Sequence, residues 1–326
     1  MSHNDLKRAR TLPAAVQLRR WVGRAVAAWV GAFLWRNWSG LIEAAAYGRD
    51  LLYWQPERVR RVERHGPFGI LYDLVEATNI QRCSLIQHEL AKAGVAVQSQ
   101  PVPGADHPNL LVRYGPQGPL TLFVAHYDKS RETPTYQAAC DNSAAVAVLL
   151  ALVQYLAADP VRARRPIGVL FSAAEERGLL GSQAFLAHAQ ATGIAIAEVI
   201  NCDMLGRDRI AIRPSARSGV MIDLPLFGWV VYDGRQIQHA EPYSQPDAAL
   251  VARLQHLAGR DLVVYRRFTA TSDSNIYQAA GIPTVALSSS NMAYLDRIWE
   301  RDSDRIELLD QAHLERALHV LQRVCM

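Results

Sequence analysis

Carboxylates and a histidine recur in this sequence at the ends of apolar runs. LFVAHYD carries His126 and Asp128, ACDNSAA carries Asp141, FSAAEERGLLGS carries Glu175 and Glu176, and VINCDML carries Asp203. A further run, IWERDSD, offers Glu300. Imidazole nitrogens and carboxylate oxygens are ligands for divalent cations. Two such cations held about 3.5–4 Å apart can polarise a carbonyl and activate water. The residue types therefore point to a metal-dependent hydrolase.

The pieces differ in what each says alone. His126 by itself fits a structural histidine better, although Asp128, two residues on, is placed to accept its second ring N–H. Asp141 stands where a helix should begin, so an N-cap is its simpler role. Glu175-Glu176 is the sharpest signal. Adjacent carboxylates after IGVLFSAA would repel in a dry environment unless a cation or proton separates them. One of them can bind metal while the other takes a proton from water. Asp203 follows a buried strand, where an unpaired carboxylate is costly.

The elements that must position these groups are legible from periodicity. Residues 68–93 read as helical, with Asn79 as a cap and Gly94 as a stop. Short strands follow near 95–99 and 109–114. TLFVA, IGVLFSA, AEVIN and IPTVAL are continuous apolar runs, which suit strands covered on both faces. Asp141-Asn142-Ser143 offers caps for a long helix through Leu156, Ser182 to His188 reads as a short helix, and Asp310 to Val324 is amphipathic. Strand–helix alternation gives an α/β three-layer sandwich with a mixed, mostly parallel central sheet covered by helices. In such folds ligands gather beyond the carboxyl ends of the strands, where His126, Glu175, Glu176 and Asp203 stand. Residues 213–246, with Pro214, Pro225, Phe227, Trp229, Tyr232, Tyr243 and Pro246, read as a long irregular stretch, either a binding lid or a packed surface hairpin.

The chain has 326 residues and a net charge of +4, placed unevenly. Residues 1–65 carry 12 Lys/Arg against 5 Asp/Glu, and the remainder is mildly acidic. We divide the chain into a basic N-terminal helical extension, 1–65, and a catalytic domain, 66–326. No aromatic-and-basic RNA motif or C-x-x-C finger occurs, which argues against nucleic acid as a partner. Cys83, Cys140, Cys202 and Cys325 match no disulfide or zinc framework and read as small buried hydrophobes. In the extension, Arg24 and Arg36 bracket an apolar run from Ala25 to Trp35. Eleven residues are too few for a spanning helix, which needs about 20. A packed helix or one that touches a membrane surface through residues 1–60 is the expectation, with a cytoplasmic or membrane-associated location. An export signal cut near Ala44-Ala45-Ala46 is the alternative.

As an ordered set, His126-Tyr127-Asp128, Asp141-Asn142-Ser143-Ala144-Ala145, Glu175-Glu176 with Gly178-Leu179-x-Gly181-Ser182, Asp203, and Ser272-Asp273 ahead of Gly281-Ile282-Pro283 resemble the co-catalytic zinc aminopeptidases. This is metallopeptidase family twenty-eight, which also includes the glutaminyl cyclases. The resemblance covers residues 68–326. It implies a zinc-exopeptidase-like fold around an eight-stranded mixed sheet, and two divalent ions, zinc expected. His126 and Asp203 would hold one ion, Asp141 would bridge, and Glu176 would hold the other. Glu175 would be the general base and Asp128 would steady His126.

Two positions depart from the family pattern. Glu300 stands where a histidine ligand is usual, and Ser274 where a histidine often follows Ser272-Asp273. With Glu300 as ligand, four carboxylates neutralise two divalent cations, so the second site should accept Mn²⁺, Mg²⁺ or Ca²⁺ more readily than a site with imidazole. The implied activity is removal of N-terminal residues from peptides, with a peptide or amide as substrate. A glutaminyl cyclase-like aminoacyltransferase and a non-catalytic binding module are the alternatives.

Overall fold

The computed structural model describes residues 14–52, 55, 58–215, 217–232, 236–240 and 244–326, without the side chains of 14–17 and 20. Residues 1–13 of the basic extension and Tyr243 of the expected lid lie outside the described residues. The strands are β1 (Gln98–Gln100), β2 (Asn109–Tyr114), β3 (Leu120–His126), β4 (Ile167–Ser172), β5 (Ile196–Cys202), β6 (Ile210–Arg213), β7 (Gly219–Leu224), β8 (Gly228–Tyr232), β9 (Ile237–His239), β10 (Leu262–Val264), β11 (Phe268–Thr269) and β12 (Thr284–Ser289). The helices are α1 (Ala14–Leu52), α2 (Leu71–Leu74), α3 (Asn79–Lys92), α4 (Ala144–Ala158), α5 (Leu180–Thr192), α6 (Ala248–Ala258), α7 (Ser274–Ala279), α8 (Met292–Ile298) and α9 (Gln311–Cys325).

Eight strands form the central sheet in the order β1-β2-β4-β3-β5-β12-β6-β10. Its middle, β4-β3-β5-β12, is parallel, with antiparallel pairs at β1/β2, β2/β4 and β12/β6. The continuous apolar runs are explained by alternation between two covered faces. Phe123 and Ala125 of β3 belong to the large core that includes α4, whereas Leu122 and Val124 pack with Phe185 of α5 and Tyr277 of α7. This is the three-layer α/β sandwich expected from the sequence. The helix α4 is apolar on all sides because it lies inside the main layer. The run Ala139–Ala158 is long and apolar enough to cross a membrane, yet 89% of it is buried within the protein. All four cysteines are buried and free, in agreement with the sequence reading.

Three local expectations are corrected. The cap of α3 is Thr78, which forms a capping box with Gln81, and not Asn79. Asn79 instead reaches the β3 loop, where its Oδ1 accepts from the Lys129 amide at 2.8 Å. Neither Asp141 nor Ser143 caps α4 through its side chain. Residues 219–224, 228–232 and 237–239 of the expected irregular stretch are strands. The strands β7, β8 and β9, with β11, form a second, antiparallel sheet in the order β11-β7-β8-β9.

The long helix α1 is fixed to this small sheet by buried polar groups. Asn37 exchanges two hydrogen bonds with the backbone of Asp223, both 2.8 Å. The Glu43 carboxylate accepts from the amides of Arg266, Arg267 and Phe268 at 2.7–3.0 Å. The Arg267 guanidinium stacks on Trp229 at 4.4 Å and donates to the Arg36 carbonyl. The C-terminal half of the extension is therefore packed on the same body as residues 66–326.

Candidate metal centre

The carboxyl ends of β3, β4 and β5 stand side by side, and each delivers a ligand type to one place. His126 closes β3, Glu175 and Glu176 follow β4, and Asp203 follows β5. Asp141 enters from the turn before α4. His126 Nε2 lies 3.2 Å from Asp141 Oδ1 and 3.6 Å from Asp203 Oδ1. Ligand atoms of His126, Asp141 and Asp203 all fall within 4.8 Å of one another, and so do those of His126, Glu175 and Glu176. The structure thus gathers four of the carboxylates singled out above around the His126 imidazole.

Asp128 does more than face His126. Its Oδ1 lies 3.5 Å from His126 Nδ1. The same carboxylate accepts from the amides of Glu175 and Glu176 at 3.0 and 3.1 Å. One side chain therefore faces the ring and pins the loop that carries both glutamates. Burial would raise its carboxyl, but His126 and the two amides outweigh that and hold it below the usual carboxylate range.

The electrostatics call for a cation. Burial pushes Glu176 up to about 9, with the Asp141 charge adding to it. Burial likewise raises Glu175 well above an ordinary carboxyl, partly opposed by His126 and reinforced by Asp203 and Asp273. Asp141 is raised by burial and by Asp203 against the pull of His126. Burial works to lower the His126 imidazole, but Glu175, Asp128, Asp141 and Asp203 together hold it well above a normal histidine. Buried oxygens Asp203 Oδ1 and Glu176 Oε1 have no hydrogen-bond partner. Oxygens left bare in such a cluster are costly unless a cation meets them. The donor set of one imidazole and several carboxylates fits a divalent ion.

Several supporting residues carried no role in the sequence reading. Asp304 accepts from the amides of Cys140 and Asp141 at 2.8 and 3.0 Å, which fixes the backbone that presents Asp141. Asn142 bonds the Cys202 carbonyl and the Met204 amide, on either side of Asp203. Arg82 is fully buried and donates to the carbonyls of Leu74, Tyr127 and Gln137 and to Ser143 Oγ. It joins the backbone between His126 and Asp128 to the turn that holds Asp141. The sequence signal was present, since Arg82 shares the buried stripe of α3 with Cys83, Ile86 and Leu90. Ser274 lies in a buried hydroxyl chain with Ser215 and Ser272 at 2.7 and 2.8 Å. Asp273 accepts from Ser172 at 2.5 Å.

Glu300 is not brought into either cluster. It is exposed, with φ of 50°, and its carbonyl accepts from Arg131 at 2.8 Å. Its charge is still near enough to add to the raised carboxyl of Asp141.

A mostly parallel α/β sheet with such a cluster at its strand ends defines a metallohydrolase of the zinc-exopeptidase fold. The model of peptidase family M28 matches residues 109–324, and the chain belongs to that family. Among solved structures, it is similar to the LapA aminopeptidase of Legionella pneumophila, with 17% identity, TM-score 0.56, and coverage of 93% of this chain and 73% of that one. It is similar to the glutaminyl cyclase of Porphyromonas gingivalis, with 19% identity, TM-score 0.59, and coverage of 81% and 97%. It also resembles a Zn-dependent exopeptidase from Parabacteroides distasonis, with 16% identity, TM-score 0.57, and coverage of 82% and 99%. No curated protein matches the sequence.

Proposed function

We propose that the protein is an aminopeptidase that removes N-terminal residues from peptides. The observation that carries this reading is the convergence of His126, Asp141 and Asp203 beside the Glu175-Glu176 pair, with bare buried oxygens on Asp203 and Glu176. His126, Asp203 and Asp141 would hold one divalent ion; Glu176 and Asp141 offer carboxylates for a second, which Glu300, exposed and outside both clusters, would have to turn inward to join. Zinc suits the imidazole site, and Mn²⁺, Mg²⁺ or Ca²⁺ suit the carboxylate-only site. Bound there, the ions supply Lewis acidity for a peptide carbonyl and lower the pKa of water.

The chain's own groups do the proton work. Burial, with Asp203 and Asp273 nearby, raises the Glu175 carboxyl well above a free glutamate, and the stronger base suits taking a proton from water and giving it to the leaving amine. Asp128 stands beside Nδ1 of the His126 ring, where it would steady the imidazole whose Nε2 faces Asp141 and Asp203. Glu175→Gln should abolish peptide hydrolysis while metal content, read by elemental analysis, stays unchanged. Normal turnover by that variant would refute the role.

Cyclisation of N-terminal glutamine is the second reading. It is supported by the likeness in fold to the glutaminyl cyclase of Porphyromonas gingivalis. Conversion of glutaminyl peptides to pyroglutamyl peptides without chain cleavage would decide for it. A non-catalytic binding module would be supported by purified protein that takes up no metal from Zn²⁺ and Mn²⁺ solutions.

A further inference from the structure

The N-terminal half of α1 has no part in the chemistry above, yet it is the most apolar exposed surface among the described residues. Trp21, Val22, Val26, Trp29, Val30, Leu34 and Trp35 are all exposed, Trp35 at 86%. They point to every side of the helix, because their spacing runs around its whole circumference. A helix that is apolar all round is ordinarily buried, in a protein core or in lipid.

A second element meets it there. The turn between β7 and β8 presents Leu226 and Phe227 at 91% and 72% exposure. This turn lies against α1, since Trp29 Nε1 donates to the Pro225 carbonyl at 3.4 Å and Arg36 pairs with Asp223 at 3.3 Å. Two separate segments thus expose large apolar groups side by side. Apart from Asp223, which pairs with Arg36, the charge on this part of the chain is almost all positive. Residues 1–36 contain seven Lys/Arg and a single acid, Asp5.

We propose that the N-terminal half of α1 and the Leu226–Phe227 turn dock together into the anionic surface of a lipid bilayer, without crossing it. The apolar run from Ala25 to Trp35 holds eleven residues and cannot cover a hydrocarbon core about 30 Å thick. Tryptophans place an apolar ring and a polar N–H at the depth where lipid tails meet headgroups. Arg19 and Arg24 can extend their guanidinium groups to lipid phosphates while their stems stay among the tails. The buried ties of Asn37 and Glu43 set the angle at which α1 leaves the body, so the hairpin turn and the helix would enter together.

The test is flotation of the full-length protein with phosphatidylcholine vesicles, with and without a quarter of phosphatidylglycerol. Binding should appear with the anionic vesicles and weaken in high salt. The pairs Leu226→Asp/Phe227→Asp and Arg19→Glu/Arg24→Glu should each cut the bound fraction by about tenfold, because each removes one of the two attractions. Metal content should be unchanged in both. The Glu175→Gln variant should float like the wild type, so failure of the catalytic reading would not disturb this one. Absence of flotation with anionic vesicles would overturn the proposal. So would a stable dimer in sedimentation velocity that Leu226→Asp/Phe227→Asp disperses, since the surface would then be covered by a second copy of the chain.

Discussion

Asp128 carries two jobs on one carboxylate, and that makes it a sensitive position. In Asp128→Asn one oxygen can still accept, but the amide nitrogen would face either the His126 ring or a loop N–H, donor against donor. Groups that orient a metal-binding histidine in this way are typically worth about 10–100-fold in metal affinity or activity. We expect kcat/KM and zinc affinity of Asp128→Asn to fall within that range while the fold survives, as read by titration and circular dichroism. Glu300 tests the opposite end of the site. If it completes the second ion's ligands, Glu300→Ala should lower the bound metal from two ions to one and spare the ion held by His126. Two ions retained would place Glu300 outside the site. At this scale the candidate cluster of His126, Asp141, Glu175, Glu176 and Asp203 could be read from the sequence because charged groups at the ends of apolar strands demand a reason. The clamps, Arg82 and Asp304, could not be read as such, because most of their partners are backbone atoms 45 to 164 positions away.

The loop that carries Glu175 and Glu176 depends on how closely α5 approaches β4. A Cβ on Gly181 would stand 2.2 Å from the Ala173 carbonyl and 2.7 Å from Asn109 Oδ1. Asn109 in turn accepts from the Ala173 amide at 2.9 Å and donates to the Gly181 carbonyl at 2.8 Å. The glycine in this motif therefore serves backbone contact. Gly181→Ala should cost about 2–3 kcal/mol in urea denaturation, the usual penalty for overpacking. Its activity should fall further than its stability, because Ala173 lies two residues from Glu175. Elements with long apolar runs or strong caps were legible, as with β3, β4 and α9. The small sheet was not. Pro214, Gly219, Pro225 and Gly228 punctuate it so closely that its strands read as loop, and only pairing across β7, β8 and β11 gives them order.

On the scale of the whole molecule, one buried histidine should make stability depend on pH. His313 on α9 is fully buried; its Nδ1 donates to the Asp208 carbonyl at 2.8 Å and its Nε2 has no partner. Burial pushes its pKa down to about 4 from 6.5. Between those values the unfolded chain binds a proton that the folded chain refuses. Its contribution is therefore present above about pH 6.5 and lost progressively down to about pH 4, a loss of about 3 kcal/mol. His313→Asn keeps a donor for Asp208 but cannot titrate. The drop in urea midpoint from pH 7.5 to pH 5 should be smaller in that variant than in the wild type; an equal drop would show that His313 does not contribute.

Residue types, their order and their strand-end positions were enough to determine the sheet class, the family and the cation-binding character of this chain, because burying charge and alternating apolar faces leave marks in one dimension. The tertiary structure decided what is shared between distant segments. It made Asp128 serve both His126 and the glutamate loop, left Glu300 at the rim, ordered the second sheet, and set α1 beside the Leu226–Phe227 turn. Those outcomes depend on distances between groups far apart in the chain, and no local pattern encodes a distance.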